Sequence, residues 1–262
     1  MDSAAAIADL TERAAAGDAA AQYALADRHE TGEGIAQDFA AALRLFGAAA
    51  EQGHAAAQWR LGTILSPMGK AESYGIAPDS LAALRWLEAA AGQNHADAMT
   101  LVAYAYEFGL GTAVNPAVAA RWWRRLAEQG DADALHRLGT ISLNSGLKPQ
   151  AAHWFRRAAE RGDALALRYL RDLAAEGVAE AAIDPAVELR ILETAAGAGD
   201  SVALEALGLR YAEGDGVARD PDRAIAHLRR AAAEEEANGR SGTATSALRR
   251  VEASLGGRSP GE

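Results

Sequence analysis

The feature that most constrains this fold is a turn that recurs along the chain at spacings of roughly 32 to 41 residues. Its pivot falls at Gly17, Gly53, Asn94, Gly130, Gly162 and Gly199. Glycine, and next to it asparagine, enters the left-handed backbone region at low cost, as the residue that ends a helix commonly must. A repeat of this length predicts pairs of helices stacked into a solenoid.

Each pivot is followed by a first helix and preceded by a second one. An Asp or His stands directly after the pivot, and four of the six are Asp, a strong N-cap. Seven places later the first helix carries a large apolar anchor: Leu25, Leu61, Val102, Leu138, Leu170 and Leu207. Eight places before the pivot the second helix carries a bulky residue that we expect to pack on its own first helix and on the next repeat: Leu45, Trp86, Trp122, Trp154 and Ile191. Each unit is therefore predicted to be a helix hairpin.

Composition narrows the class of protein. Half of the residues are apolar and many of them are alanine, which favours closely packed helices and an all-α fold. Cysteine is absent, so disulfides, thiolate metal sites and Cys nucleophiles are excluded. A net charge of −10 disfavours nucleic acid and anionic membrane as partners. No basic region followed by an apolar run opens the sequence, so we expect a cytoplasmic protein, or a periplasmic one if a signal peptide preceded it.

The repeat resembles a known family. In the last unit the matching residues are Ala203, Leu207, Gly208, Tyr211, Gly214, Gly216 and Val217, and the third unit adds Tyr106, Trp122, Ala127, Glu128 and Gly130. They fit the pattern of the Sel1-like repeat family, relatives of the tetratricopeptide repeats. The resemblance implies an all-α, right-handed α/α solenoid of about six repeats whose first helices line the concave face.

We expect one domain over residues 1–255. Its repeats should cover 18–53, 54–94, 95–130, 131–162, 163–199 and 200–236, after an opening half-unit at 3–16. A closing helix is expected at 241–254, where it would cover the last repeat, followed by a disordered tail at 256–262. Residues 66–78 add an insertion, and Arg171 stands where glycine is usual.

We take as partner-binding candidates residues of the first helices that lie two places before or two places after an anchor, where we expect the side chains to be exposed on the concave face. The side chains chosen as contacts are Tyr23, Asp27, Trp59, Thr63, Tyr104, His136, Arg168 and Asp172. Tyr, Trp and Arg are the residues most often found as interface hot spots. The alternative is that the aromatic rings simply fill space inside the repeats.

The resemblance implies a non-enzymatic scaffold, adaptor or regulator that binds a basic or neutral protein or peptide while itself a monomer. An inhibitor or immunity-type protein that occludes a basic toxin or enzyme is the alternative. An enzyme is the weakest hypothesis, because no catalytic or nucleotide-binding motif stands out. The glycine loops join two helices rather than a strand and a helix, and the histidines lack zinc-ligand spacing, so no cofactor or metal is expected.

Overall fold

The computed structural model describes residues 3–239 and 242–256, with side chains from 5–239 and 242–254. Every regular element within these residues is helical, which confirms the all-α class. The contacts group the helices into two compact units, one ending at Gln129 and the other beginning at Gly130. The single domain expected from the sequence stays a prediction, and each unit is described by itself.

The first unit contains an opening helix and three hairpins. Its helices are α1 (Ser3–Ala15), α2 (Ala19–Thr31), α3 (Phe39–Glu51), α4 (Ala55–Leu65), α5 (Ser80–Gly92), α6 (Ala96–Phe108) and α7 (Pro116–Glu128). The hairpins pair α2 with α3, α4 with α5, and α6 with α7. The predicted insertion between α4 and α5 contains a short 3-10 helix, Ala71–Tyr74.

The second unit contains three further hairpins and a closing helix. Its helices are α8 (Ala132–Asn144), α9 (Lys148–Ala159), α10 (Ala164–Ala175), α11 (Pro185–Gly197), α12 (Ser201–Glu213), α13 (Pro221–Ala237) and α14 (Thr243–Gly256). A 3-10 helix at Ala179–Ala181 follows α10. None of the helices in the described residues has the length and hydrophobicity needed to cross a bilayer.

The predicted pivots have the required backbone. All six have positive φ, from 67° at Asn94 to 94° at Gly162. The residue after each pivot caps the next first helix, as predicted for the four aspartates. His54 and His95 do the same through Nδ1, which accepts from the amides of Ala57 and Ala98 at 3.3 and 3.4 Å. An unprotonated imidazole nitrogen is an acceptor, so histidine can replace the usual carboxylate here.

The anchors of the first helices are all buried, as predicted, at 0 to 7 % exposure. The bulky residues of the second helices pack on the first helices as predicted, Leu45 beside Leu25 and Trp86 beside Leu61, but they are not the most buried residues of those helices. The core position lies seven places before the pivot, and the bulky residue at eight is half-buried in all hairpins but the fifth, where Ile191 is also buried. The core residues are Phe46, Leu87, Trp123, Phe155 and Leu192. Trp is large and amphipathic, so it often lies at the edge of a core while Leu and Phe fill it; Trp123, which is 1 % exposed, is the exception.

The closing helix runs over Thr243–Gly256, two residues later than predicted. Gly256 is therefore helical rather than part of a disordered tail, and residues 257–262 lie outside the described residues. Glu235 of α13 caps this helix: its carboxylate accepts from the Thr243 hydroxyl at 2.6 Å and from the Ala244 amide at 3.2 Å. Glu235 is the middle residue of the acidic run Glu234–Glu236, and its side chain is buried rather than solvated.

Candidate partner-binding face

Two aromatic candidates in the first unit bridge successive first helices. The Tyr23 ring of α2 stacks on His54, with centroids 5.0 Å apart and planes at 24°. The Trp59 ring of α4 stacks on His95 in the same way, at 5.2 Å and 21°. Each histidine is also the N-cap of the first helix that follows. Both rings are therefore half-buried and held in place from the next hairpin, rather than freely exposed as the projection assumed.

The equivalent residue in the second unit, His136, makes a polar contact with the N-cap of the next first helix. His136 Nδ1 lies 2.6 Å from an oxygen of Asp163, the N-cap of α10. The His136 ring also packs edge-on against Phe155 and Tyr169, at 5.5 and 5.6 Å. At Tyr23, Trp59 and His136, each two places before an anchor, a side chain thus links one hairpin to the cap of the next. Sequence reasoning missed these links, although each of the three residues can stack on or pair with the His or Asp cap opposite it.

The remaining candidates differ in exposure. Tyr104 is half-buried and meets Trp123 edge-on at 5.0 Å, while Thr63 donates its hydroxyl to the Arg60 carbonyl at 2.7 Å. Asp27 is half-buried one turn after Tyr23. The two exposed candidates are Arg168 and Asp172, four residues apart and so on one side of α10.

A buried polar cluster lies beside Tyr23 and was not predicted. Glu30, which is 7 % exposed, pairs with Arg60 through both guanidinium Nε and Nη2. The insertion delivers Tyr74 into the same core, and burial together with Glu30 raises the pKa of its phenol. Burial, and then the charge of Asp27, also raises the pKa of Tyr23. Both phenols are therefore neutral at physiological pH and present aromatic rather than ionic chemistry.

The chemistry available on these helices is that of recognition. It consists of ring faces, a few hydroxyls and scattered single charges. Within the described residues, no group of three or more His, Asp or Glu side chains could hold a metal ion.

The repeats match the model of the Sel1 repeat over residues 19–54, 55–95, 96–131, 132–163 and 201–235. The chain belongs to the Sel1 repeat family. Members of this family are commonly protein-interaction scaffolds, and their solenoid fold is typically non-catalytic. The five matched segments begin and end at the predicted repeat boundaries to within one residue, and the fifth hairpin is left unmatched between them.

Two solved Sel1-type structures are similar over most of this chain. The first is c5321, a protective antigen of uropathogenic Escherichia coli with an SLR fold, at 32% identity and a TM-score of 0.74 over 97% of this chain. The chain spans about half of that protein, 53% of its length. The second is a Sel1 repeat protein from Oxalobacter formigenes, at 29% identity and a TM-score of 0.61, covering 82% of this chain and 85% of that one. A comparison with curated proteins gives no match.

Proposed function

We propose that this Sel1 repeat chain is a non-enzymatic scaffold that binds a protein or peptide partner on its first-helix face. That face is defined by Tyr23, Asp27, Trp59, Thr63 and Tyr104 in the first unit and by His136, Arg168 and Asp172 in the second. The observation that supports the proposal is the stacking of Tyr23 and Trp59 on the histidine caps of the following helices.

Stacking matters for binding because a side chain that is already ordered loses little freedom when a partner arrives. Ordering a rotamer-rich side chain costs about 0.5–1.5 kcal/mol on binding. Tyr23 and Trp59 are fixed before any partner is present, yet each is only half-buried, so part of each ring remains available. Preorganised aromatic residues of this kind are the usual anchors of interfaces.

The net charge of the chain favours a basic or uncharged partner. With a net charge of −10, long-range attraction favours a basic partner and leaves a neutral one unopposed. Asp27 and Asp172 add acidic groups to the face itself. We therefore propose a basic or uncharged protein segment as the partner.

The test uses affinity capture from the native host with matched pairs of baits, read by quantitative mass spectrometry. Trp59→Leu removes a ring from the first-helix face, and Trp154→Leu removes a half-buried ring from a second helix as its control. Arg168→Glu reverses an exposed charge on the first-helix face, and Arg190→Glu does so on second helix α11. Circular dichroism melts verify that each bait is folded.

We expect a partner whose recovery falls at least tenfold with Trp59→Leu or Arg168→Glu and is unchanged with the two controls. Loss with the control variants alone would place recognition on the second helices instead. Failure of every bait to retain any partner would contradict a scaffold role.

A further inference from the structure

Three loops of this chain share one backbone design and so can be compared directly. They follow α2, α6 and α12, and each has two left-handed glycines, at 32 and 34, 109 and 111, and 214 and 216. In each, the amide of the next N-cap donates to a carbonyl nine residues earlier, at 2.7 to 2.9 Å: Asp38 to His29, Asn115 to Tyr106, and Asp220 to Tyr211. Equivalent positions in the three loops therefore face equivalent local constraints.

The loop after α6 is apolar where the other two are polar. Its residues Phe108, Leu110 and Val114 are 57, 45 and 59 % exposed. The equivalent residues are Thr31, Glu33 and Gln37 in the loop after α2, and Glu213, Asp215 and Arg219 in the loop after α12, all of them exposed. Since the same backbone forms with polar residues at all three positions, the fold does not require the apolar ones.

A fourth exposed apolar residue, Leu81, lies next to the point where this loop meets the start of α5. Gly111 packs so closely on the start of α5 that a Cβ there would overlap the carbonyl oxygen of Ser80. The next residue, Leu81, is 63 % exposed, whereas the second position of most other second helices holds a small or polar residue. Those residues are Ala40, Ala117, Ala186 and Asp222, and α9 has Pro149 there. Of the large apolar side chains that are exposed in the described residues, Leu81 and the three loop residues thus belong to two segments that meet at Gly111 and Ser80, and the others are Met68 and Leu147.

We propose that Leu81, Phe108, Leu110 and Val114 form an apolar docking patch for a short apolar segment of another protein. The patch adjoins the first-helix face, because the Phe108 ring stacks on Tyr104 with centroids 5.9 Å apart. Exposed apolar side chains that are clustered, rather than scattered singly, mark interaction sites. Four residues are far fewer than the about 20–30 that a stable interface places on each side. The size of the patch therefore fits a short segment with two or three large apolar side chains, and not a second folded copy of this chain.

The loop itself supplies the test variant. Phe108→Glu, Leu110→Asp and Val114→Arg together give this loop the residues of its counterpart after α12, which has the same backbone. Exposed substitutions usually change stability by no more than about 0.5 kcal/mol, so the thermal melt should be nearly unchanged. A random peptide library displayed on phage is selected on the full wild-type chain in the presence of excess soluble loop variant.

We expect enrichment of peptides with closely spaced large apolar residues. A synthetic version of the leading peptide, followed by fluorescence anisotropy, should bind the loop variant at least tenfold more weakly than wild type and Leu81→Ala several-fold more weakly. Its affinity for Arg168→Glu should equal that for wild type, so binding at the patch can be distinguished from binding that uses Arg168.

Three results would overturn the proposal. The first is that no peptide is enriched over the starting library. The second is that the enriched peptides bind wild type and Leu81→Ala equally. The third is that wild type sediments as a dimer which the loop variant converts to a monomer, because the patch would then be covered by a second copy.

Discussion

The fifth hairpin is built differently from its neighbours, and the difference shows how this repeat tolerates change. In the second, fourth and sixth hairpins a glycine follows the anchor, and a Cβ there would lie 2.6 Å from a buried side chain of the second helix. These close contacts are Gly62 with Leu87, Gly139 with Phe155, and Gly208 with Leu228. The two helices of such a hairpin are held by direct apolar packing.

In the fifth hairpin two positions change together. Arg171 replaces the glycine of the first helix, and Glu188 of α11 takes the place that alanine holds in the others, such as Ala83 opposite Gly62 and Ala224 opposite Gly208. Their side chains pair at 2.5 Å, and Glu188 also pairs at 2.6 Å with Arg210 of the next first helix. In the fifth hairpin, ion pairs thus replace the close approach of the two helices.

This exchange lies in the segment that the family model leaves unmatched. The unmatched segment between residues 163 and 201 is this hairpin. Its pivot at Gly199, its cap at Asp163 and its anchor Leu170 keep the family pattern. The departures lie in the contact between the helices and in the loop that joins them, which contains the 3-10 helix Ala179–Ala181. A repeat can therefore lose its sequence signature while it keeps its pivot, cap and anchor.

The largest expected effect comes from breaking the ionic contact. Glu188→Gln removes the charge that neutralises Arg210, whose side chain is only 7 % exposed. Without Glu188, Arg210 keeps only the exposed Asp215, whose carboxylate lies 3.9 Å from its Nε. Breaking a buried pair is strongly destabilising, so we expect a loss of about 3 kcal/mol in the free energy of unfolding. Urea denaturation measures it.

Glu176→Gln is the matched control for that substitution. Glu176 pairs with Lys148 at 2.9 Å, and both side chains are about half exposed. Exposed pairs of this kind contribute about 0–1 kcal/mol. If the two variants lost equal stability, the fifth hairpin would be held by packing after all.

The second prediction concerns the glycine contact. Gly208→Ala places a methyl group 2.6 Å from Leu228 Cγ and 3.1 Å from the Ala224 carbonyl oxygen. Overpacking costs about 1–3 kcal/mol, and alanine returns about 1 kcal/mol of helix propensity. We expect a net loss of about 1 kcal/mol, seen as a lower Tm.

Gly47→Ala should move the Tm the other way. Gly47 lies inside α3, and a Cβ there would meet nothing within 4 Å. Only the gain in helix propensity applies, about 0.5–1 kcal/mol. A rise in Tm for both variants would show that the sixth hairpin can open to accept a methyl group.

A smaller effect is expected at the exposed end of the ionic contact. Arg171→Ala removes a side chain that is 45 % exposed and leaves Glu188 paired with Arg210. We therefore expect a loss of at most about 1 kcal/mol by urea denaturation, much less than for Glu188→Gln. A loss as large as that of Glu188→Gln would mean that Arg171, and not Arg210, is the partner that matters.

The sequence predicted the features that depend on local chemistry. The left-handed pivots, the aspartate caps and the buried anchors each follow from one residue and its immediate neighbours, and all were correct. The partner-binding role of the first-helix residues stays a prediction. The structure adds that Tyr23, Trp59 and His136 also join successive hairpins.

Features that need two distant residues were not predicted. Arg171 was noticed only as a departure from glycine, because its partner Glu188 lies 17 residues away and becomes a neighbour only in the folded hairpin. The cap that Glu235 provides for the closing helix was missed for the same reason, since a carboxylate in an acidic run resembles a solvated one until a helix start is placed beside it. The most buried residues of the second helices, such as Leu87 and Phe155, were not predicted, because each lies next to a tryptophan that was taken as the packing residue.

The smallest predicted effect tests the packing of the sixth hairpin through pH. His227 precedes Leu228, stacks on Tyr211 at 5.7 Å, and has a pKa lowered chiefly by burial and then by Arg230 and Arg223. In the unfolded chain this histidine becomes protonated when the pH falls below its ordinary pKa of about 6.5. In the folded chain its protonation requires a lower pH. The stabilisation is therefore fully present above pH 6.5 and is lost as the pH falls through the lowered pKa.

His227→Phe keeps the stack on Tyr211 and removes the titration. The Tm of this variant relative to wild type should rise between pH 7.5 and pH 5. A pH-independent difference for His227→Phe would mean that the imidazole reaches solvent when the sixth hairpin is folded. The contact beneath Gly208 would then be looser than the tight apolar packing that distinguishes this hairpin from the fifth.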